Sequence, residues 1–235
     1  MLKLIGIGLY DEMDISLRGV EEGRSCDELF IETYTNVWHG SKEKLESIIG
    51  KKIEEIPRER VESDFLIEHS KHKDVCLFVV GDPLSATTHA ELILEAKARG
   101  IKVKIVHSSS IFTAVGETGL QLYKFGKTVS VPKPQSQFRP TSFYDEIIKN
   151  KSNGLHTLVL FDVNDFSFND AKEFLLSIDK EKIFDRVIVC SKLGSDDKKI
   201  IYGNIAEIED VEPPFVIIVP GHLHFKEKEF LEMIK

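Results

Sequence analysis

The segment Val75–Val80 is wholly apolar, and it stops at Gly81-Asp82-Pro83 before a small-residue patch, Ser85 to Thr88, opens a strongly helical stretch. A continuous apolar run bounded by turn residues reads as a strand buried on both faces, the kind that parallel sheets are made of. The segments around it alternate in the same way. Strand signals fall at Leu2–Ile5, Leu29–Thr33 and Lys102–Val106. Helical periodicity falls from Ser16 to about Cys26, after the caps Asp14-Ile15-Ser16, and at Ser41–Ile49, Val61–Ser70 and Thr88–Arg99, where Gly100 stops the helix. Alternation of this kind over residues 1–107 requires a mostly parallel sheet. In open sheets of that type, ligands bind beyond the carboxyl ends of the strands, so the Gly81-Asp82-Pro83 loop is where a site would be built. Read alone, the same three residues are equally good chemistry for an ordinary turn.

The second half is organised differently. Helices are expected at Ile111–Gly119, Ser142–Lys149, Phe168–Ile178 and Lys226–Ile234, and strands at Val129–Val131, Thr157–Asp162, Arg186–Cys190, Lys199–Tyr202 and Phe215–Val219. The last strands follow one another closely, which favours antiparallel pairing and a mixed sheet. The polar break at Ser108–Ser110 puts the boundary between an α/β domain over 1–107 and a second over 108–235. Of the 235 residues, 42% are hydrophobic and 30% charged, the balance of a globular chain. The net charge of −8 argues against a nucleic-acid binder that relies on a basic surface. No apolar run reaches the roughly 20 residues of a membrane span. The opening Met-Leu-Lys-Leu-Ile-Gly lacks the long apolar core and cleavage site of a secretory leader, so a cytoplasmic location is expected. Cys26, Cys76 and Cys190 are far apart and odd in number, and they imply neither a disulfide framework nor a zinc site.

Four strand ends share small or polar residues: Gly6-Ile7-Gly8-Leu9-Tyr10, Gly81-Asp82-Pro83, His107-Ser108-Ser109-Ser110-Ile111 and Pro220-Gly221-His222-Leu223-His224. Several such loops point to a cleft lined by main chain. A dinucleotide fingerprint fails at Asp11, where its third glycine should stand, and the acidic residues that follow would repel a pyrophosphate. No phosphate-binding Gly-Lys-Ser/Thr loop and no Gly-x-Ser-x-Gly elbow is present. His222-x-His224 offers two ligands on one face if the segment is a strand, but no third ligand is clear, so no metal is expected. Asp82 is a candidate ligand for a hydroxyl or an ammonium, or else a loop-closing side chain.

Taken together, these residues resemble the diphthine synthase family, a methyltransferase branch of the tetrapyrrole-methylase-like superfamily. The resemblance is carried by Ile5-Gly6-Ile7-Gly8-Leu9-Tyr10-Asp11-Glu12, Gly81-Asp82-Pro83-Leu84-Ser85-Ala86-Thr87-Thr88-His89, Tyr123-Lys124-Phe125-Gly126-Lys127, Pro140-Thr141-Ser142-Phe143-Tyr144-Asp145, Gly154-Leu155-His156 and Val219-Pro220-Gly221-x-Leu223-His224, in the family's order along the chain. It implies a two-domain tetrapyrrole-methylase-like fold with S-adenosyl-L-methionine bound in a cleft between the domains and S-adenosyl-L-homocysteine as product. It implies a homodimer whose substrate is translation elongation factor 2, with the amino group of a modified histidine trimethylated to diphthine. Carried over by position, the cofactor contacts are Leu9, Asp82, Ser85, Ser110, Ile111, Phe161, Leu193 and His224. No catalytic residue is assigned, because methyl transfer from a sulfonium asks the protein mainly to position and desolvate. A proton acceptor among Asp11, Asp82, Glu117 and the histidines stays open. A methylase of tetrapyrrole precursors and a non-catalytic binding module are the alternatives. Val131–Pro140, with Lys133, Gln135, Gln137 and Arg139, is the expected docking loop for the protein substrate.

Overall fold

Five short segments of the first half pair side by side: Leu2–Gly6 (β1), Glu28–Glu32 (β2), Glu54–Glu55 (β3), Val75–Val79 (β4) and Val103–Val106 (β5), in the order β3-β2-β4-β1-β5. All four pairings are parallel. These positions come from a computed structural model that describes residues 1–134, 140–162 and 166–234. The chain divides into two compact units, Met1–Phe112 and Thr113–Lys235.

In the first unit every residue of β4 is buried, as its unbroken apolar character requires. The pleat sends Val75, Leu77 and Val79 into one core cluster with Leu66, Leu92 and Ala96, and Cys76 and Phe78 into another with Val20, Leu45 and Ile49. The helices that supply those residues are α1 (Leu17–Arg24) and α2 (Lys42–Ile49) on one side, and α4 (Phe65–Ser70) and α5 (Ala90–Ala98) on the other. Ser16 caps α1 with its hydroxyl, as the sequence leads one to expect, and Ser41 caps α2 in the same way. The single helix expected over Val61–Ser70 is instead two: α3 (Arg58–Val61) and α4. Ser63 is the cause, because its hydroxyl donates to the Arg60 carbonyl and accepts from the Phe65 amide, offering the backbone an alternative to the helix ladder.

The second sheet contains Val129–Val131 (β6), Thr157–Phe161 (β7), Val187–Ser191 (β8), Lys199–Gly203 (β9) and Phe215–Val219 (β10), ordered β6-β7-β10-β8-β9. Its β6–β7 pair is parallel and its other pairs are antiparallel. An aromatic core holds it together, with Phe143, Phe161, Phe168, Phe174, Phe184 and Phe215 in one cluster. Its helices are α7 (Ser142–Ser152), α8 (Phe168–Ile178) and α9 (Phe225–Met233). The helix expected at Ile111–Gly119 is a short α6 (Ile111–Ala114) that tightens into a 3-10 turn over Val115–Thr118.

The division between the units falls between Phe112 and Thr113, within α6, rather than at 107/108. The polar stretch read as a linker is tied to the first unit, since the Asp82 carboxylate accepts the Ser108 amide and meets His107. In the expected docking loop, residues 135–139, including Gln135, Gln137 and Arg139, lie outside the described residues.

Candidate functional site

Three neighbouring strands of the first unit, β4, β1 and β5, send their carboxyl ends into loops that are bonded to one another. Gly8 and Gly81 exchange main-chain hydrogen bonds, 2.7 Å from the Gly81 amide to the Gly8 carbonyl and 3.2 Å in return. Gly8 has φ +86°, and a Cβ there would lie 2.1 Å from the Asp14 Cβ, so no other residue fits. A Cβ on Gly6 would meet the Gly81 carbonyl oxygen at 2.6 Å. These contacts explain why glycines punctuate the two loops at those positions.

The second tie is the Asp82 side chain, only 5% exposed. Its Oδ1 accepts from the Leu84 amide at 2.9 Å and the Ser85 hydroxyl at 3.2 Å. Its Oδ2 accepts from the Ser108 amide at 3.2 Å and lies 2.8 Å from His107 Nδ1. Burial alone would raise this carboxyl's pKa, but the bonds from Leu84, His107 and Ser108 prevail and hold it below the usual aspartate value. Asp82 therefore links the β4 loop to the β5 loop, which is the loop-closing role open to it from the sequence. Ser110 is buried, and its hydroxyl accepts from the Phe112 amide at the start of α6. Of the expected contacts, Leu9, Asp82, Ser85, Ser110 and Ile111 thus lie on loops leaving one end of one sheet. Beside them, Asp11 caps Met13, and Tyr10 stacks on His39 with ring centroids 5.1 Å apart.

At the carboxyl end of β2, the fully buried Glu32 accepts from the Thr35 hydroxyl at 2.7 Å and lies 3.9 Å from His89 Nε2. Burial pushes the Glu32 carboxyl up to about 7 and holds the His89 imidazole down at about 4. This pair has no counterpart in the sequence reading, because β2 and the residue after Thr88 are far apart in the chain and nothing local connects them.

The second unit separates the remaining expected contacts. Phe161 ends β7, and its ring packs 5.2 Å from Phe215 and 5.7 Å from Phe166, centroid to centroid. Leu193 is buried in the loop after β8, next to Lys192, whose amide donates to the Pro214 carbonyl. Both therefore lie by the start of β10, whereas His224 comes after its other end, beyond the loop 220–223. Antiparallel pairing causes this, because strands running in opposite senses deliver their carboxyl ends to opposite edges.

His224 sits in a braced loop. Segment 220–224 is not a strand, and the His224 ring caps α9 by accepting the Lys226 amide, so the i, i+2 face imagined for two metal ligands does not form. Among the described residues, no three His, Cys, Asp or Glu side chains are grouped to hold a metal. The Glu227 carboxylate, 1% exposed, accepts from the His224 amide at 2.7 Å, the Gln121 amide at 2.9 Å and Lys124 Nζ at 2.5 Å, and lies 3.1 Å from His156 Nε2. Burial works to raise its pKa, but those donors hold it near 2. Sequence reasoning overlooked Glu227, although its place three residues after His224 is capping-box spacing.

Residues 1–209 match the family Tetrapyrrole (Corrin/Porphyrin) Methylases. A diphthine synthase of Methanocaldococcus jannaschii is 40% identical, covering 100% of this chain and 98% of its own. The chain belongs to the diphthine synthase family. The diphthine methyl ester synthase of Schizosaccharomyces pombe is 39% identical over 98% of this chain and 93% of its own. A crystal structure of a diphthine synthase superposes with a TM-score of 0.92 at 35% identity, covering 99% of this chain and 95% of that one. Membership of this family makes the chain a methyltransferase. The segments through which the sequence resembles the diphthine synthase family include Gly8 and Gly81, which exchange hydrogen bonds, Asp82, and Lys124, His156 and His224, which surround Glu227.

Proposed function

We propose that this chain methylates the modified histidine of translation elongation factor 2, using S-adenosyl-L-methionine and releasing S-adenosyl-L-homocysteine. The observation that carries this reading is full-length relatedness to a diphthine synthase, together with strand-end loops held open by their own hydrogen bonds. Nothing lies within 4 Å of where a Cβ on Gly81 would stand, which leaves room for a ligand against the main chain there. Leu9, Ser85, Ser110 and Ile111, with the loop that Asp82 shapes, would contact the cofactor in the first unit, and Phe161, Leu193 and His224 in the second. Phe161 would contribute main chain or the edge of its ring, since the ring itself belongs to the aromatic core.

When bound, the cofactor supplies an electrophilic methyl group on a sulfonium. The residues present supply position and exclusion of water, which convert a bimolecular displacement into an oriented one. The amine must lose a proton before each transfer, and trimethylation of the amino group gives diphthine. The related Schizosaccharomyces pombe protein is a methyl ester synthase, so a further transfer to the carboxylate is the second reading. The active form in this proposal is a cytoplasmic homodimer.

Incubation of the chain with the modified factor and labelled cofactor tests the proposal. Incorporation of label, with the factor's mass increased by three methyl groups, is expected. A fourth methyl, lost on mild alkaline treatment, selects the ester-forming reading. Absence of label, with a tetrapyrrole precursor methylated instead, overturns both.

A further inference from the structure

Residues 121–127, 150–157 and 219–227 converge in the second unit around one buried polar cluster, and four main-chain groups of the loop after β10 bond to these segments. The Gly221 amide donates to His156 Nδ1 at 3.0 Å. The His222 amide donates to the Gly154 carbonyl at 3.1 Å, and the His222 carbonyl accepts from Lys124 Nζ at 2.6 Å. The His224 amide donates to Glu227 Oε2. Because His156 Nδ1 accepts, its proton resides on Nε2, which fixes both tautomer and ring orientation toward Glu227 Oε1. His156 is fully buried, and burial keeps it below its ordinary pKa despite the neighbouring carboxylate. Leu223, between these anchored residues, takes part in none of the bonds.

A helix cap alone does not require this arrangement. Half-buried Ser16 and Ser41 cap their helices with a hydroxyl alone, whereas the buried Glu227 carboxylate in the α9 cap is also met by a lysine and a buried histidine from two other segments. A buried ion pair is a poor source of stability because desolvation offsets much of its attraction, so its better-attested use is to select one conformation. The conformation selected is that of Gly221–His224.

We propose that Glu227 is a positioning residue for cofactor binding: through His156 and Lys124 it holds the Gly221–His224 main chain in the one geometry that receives S-adenosylmethionine, with Leu223 left uncommitted to face it. This rests on the function proposed above. Glu227 touches no reacting atom, so its effect falls on cofactor affinity and not on the chemical step.

The test compares the full chain with Glu227→Gln, which keeps the shape and removes the charge, and with Lys124→Met, which removes the clamp on His222 together with the cation beside Glu227. Titration calorimetry with S-adenosylhomocysteine should show affinity falling about tenfold or more in both variants. Steady-state methylation of the modified factor should show a matching rise in KM for S-adenosylmethionine, with kcat and the KM for the protein substrate within about twofold of the parent. Circular dichroism at the assay temperature verifies that each variant is folded. A lower melting temperature with unchanged cofactor KM would show a purely structural cap and overturn the proposal, as would a rise confined to the protein-substrate KM. If the parent chain itself fails to bind S-adenosylhomocysteine, the cofactor reading falls and the proposal with it. Parent binding with unaltered variants removes the proposal alone.

Discussion

Removing the Asp82 carboxylate tests the loop architecture most directly. In Asp82→Ala, the Leu84 and Ser108 amides lose their acceptor, and both are part-buried. The Ser85 hydroxyl can rotate, and His107, with a side chain 69% exposed, can turn to water, so those two bonds contribute little. A stranded buried amide costs about 1–3 kcal/mol, and partial access of water to two of them gives about 1–3 kcal/mol in all. For a chain of this size that corresponds to about 2–4 °C of melting temperature per kcal/mol. Asp82→Asn keeps an acceptor for Leu84 but turns an N–H toward the Ser108 amide, so it should fall between Ala and the parent. The effect depends on pH with a definite sign. The folded-state pKa of Asp82 is depressed, so its stabilisation is complete above the unfolded aspartate value of about 3.9 and is lost as pH falls through the lower folded value. Differential scanning calorimetry of parent and variants, from neutral pH down through and below the ordinary aspartate range, provides the measurement. An Asp82→Ala protein melting with the parent throughout, and binding S-adenosylhomocysteine equally well, would refute the idea that this carboxylate ties the β4 and β5 loops together.

Three further outcomes are expected. Glu32, raised to about 7, holds a proton in the folded state that the unfolded chain has released, so its contribution falls as pH rises from about 4.5 to 7. His89, lowered to about 4, does the reverse between about 4 and 6.5, and the two slopes oppose each other; Glu32→Gln should therefore leave a denaturation midpoint that climbs with pH over that interval, and an unaltered profile would contradict the assignment. Gly8→Ala should destabilise the first unit by at least about 2 kcal/mol, from left-handed strain and the clash with Asp14, measured by urea unfolding. Cys26, Cys76 and Cys190 are all buried, so a bulky thiol reagent should react with the native chain only as fast as it opens and with all three once it is unfolded.

Much of the fold was legible because its signals are local. The apolar run Val75–Val80, the cap at Ser16 and the stop at Gly100 each specify their own element, and the spacing of the late strands announced antiparallel pairs. Glu54–Glu55 was not legible as a strand, since two exposed glutamates have no periodicity to read. The break at Ser63 was missed because a helix-compatible apolar pattern continues on both sides of it. The loops of the candidate site were visible as strand ends, but what holds them was not: the Asp82–Ser108, Glu32–His89 and Glu227–His156 contacts span long stretches of chain, and side-chain chemistry at that range leaves no local trace. The same holds for the direction of β10, which leads to His224 and runs opposite to the strands that lead to Phe161 and Leu193.

The order β3-β2-β4-β1-β5 has a consequence for synthesis. β1 leaves the ribosome well before both of its partners, β4 and β5, at residues 75–79 and 103–106. A nascent chain must therefore carry Leu2–Gly6 unpaired through the making of four α-helices and two other strands, and even after β4 emerges one edge stays open until Val103–Val106 arrives. Non-local pairing of this kind is slow and leaves a strand edge available to other chains in the meantime. Translation pauses placed before and after residue 103 should thus separate a form that chaperones hold from one that has closed its sheet.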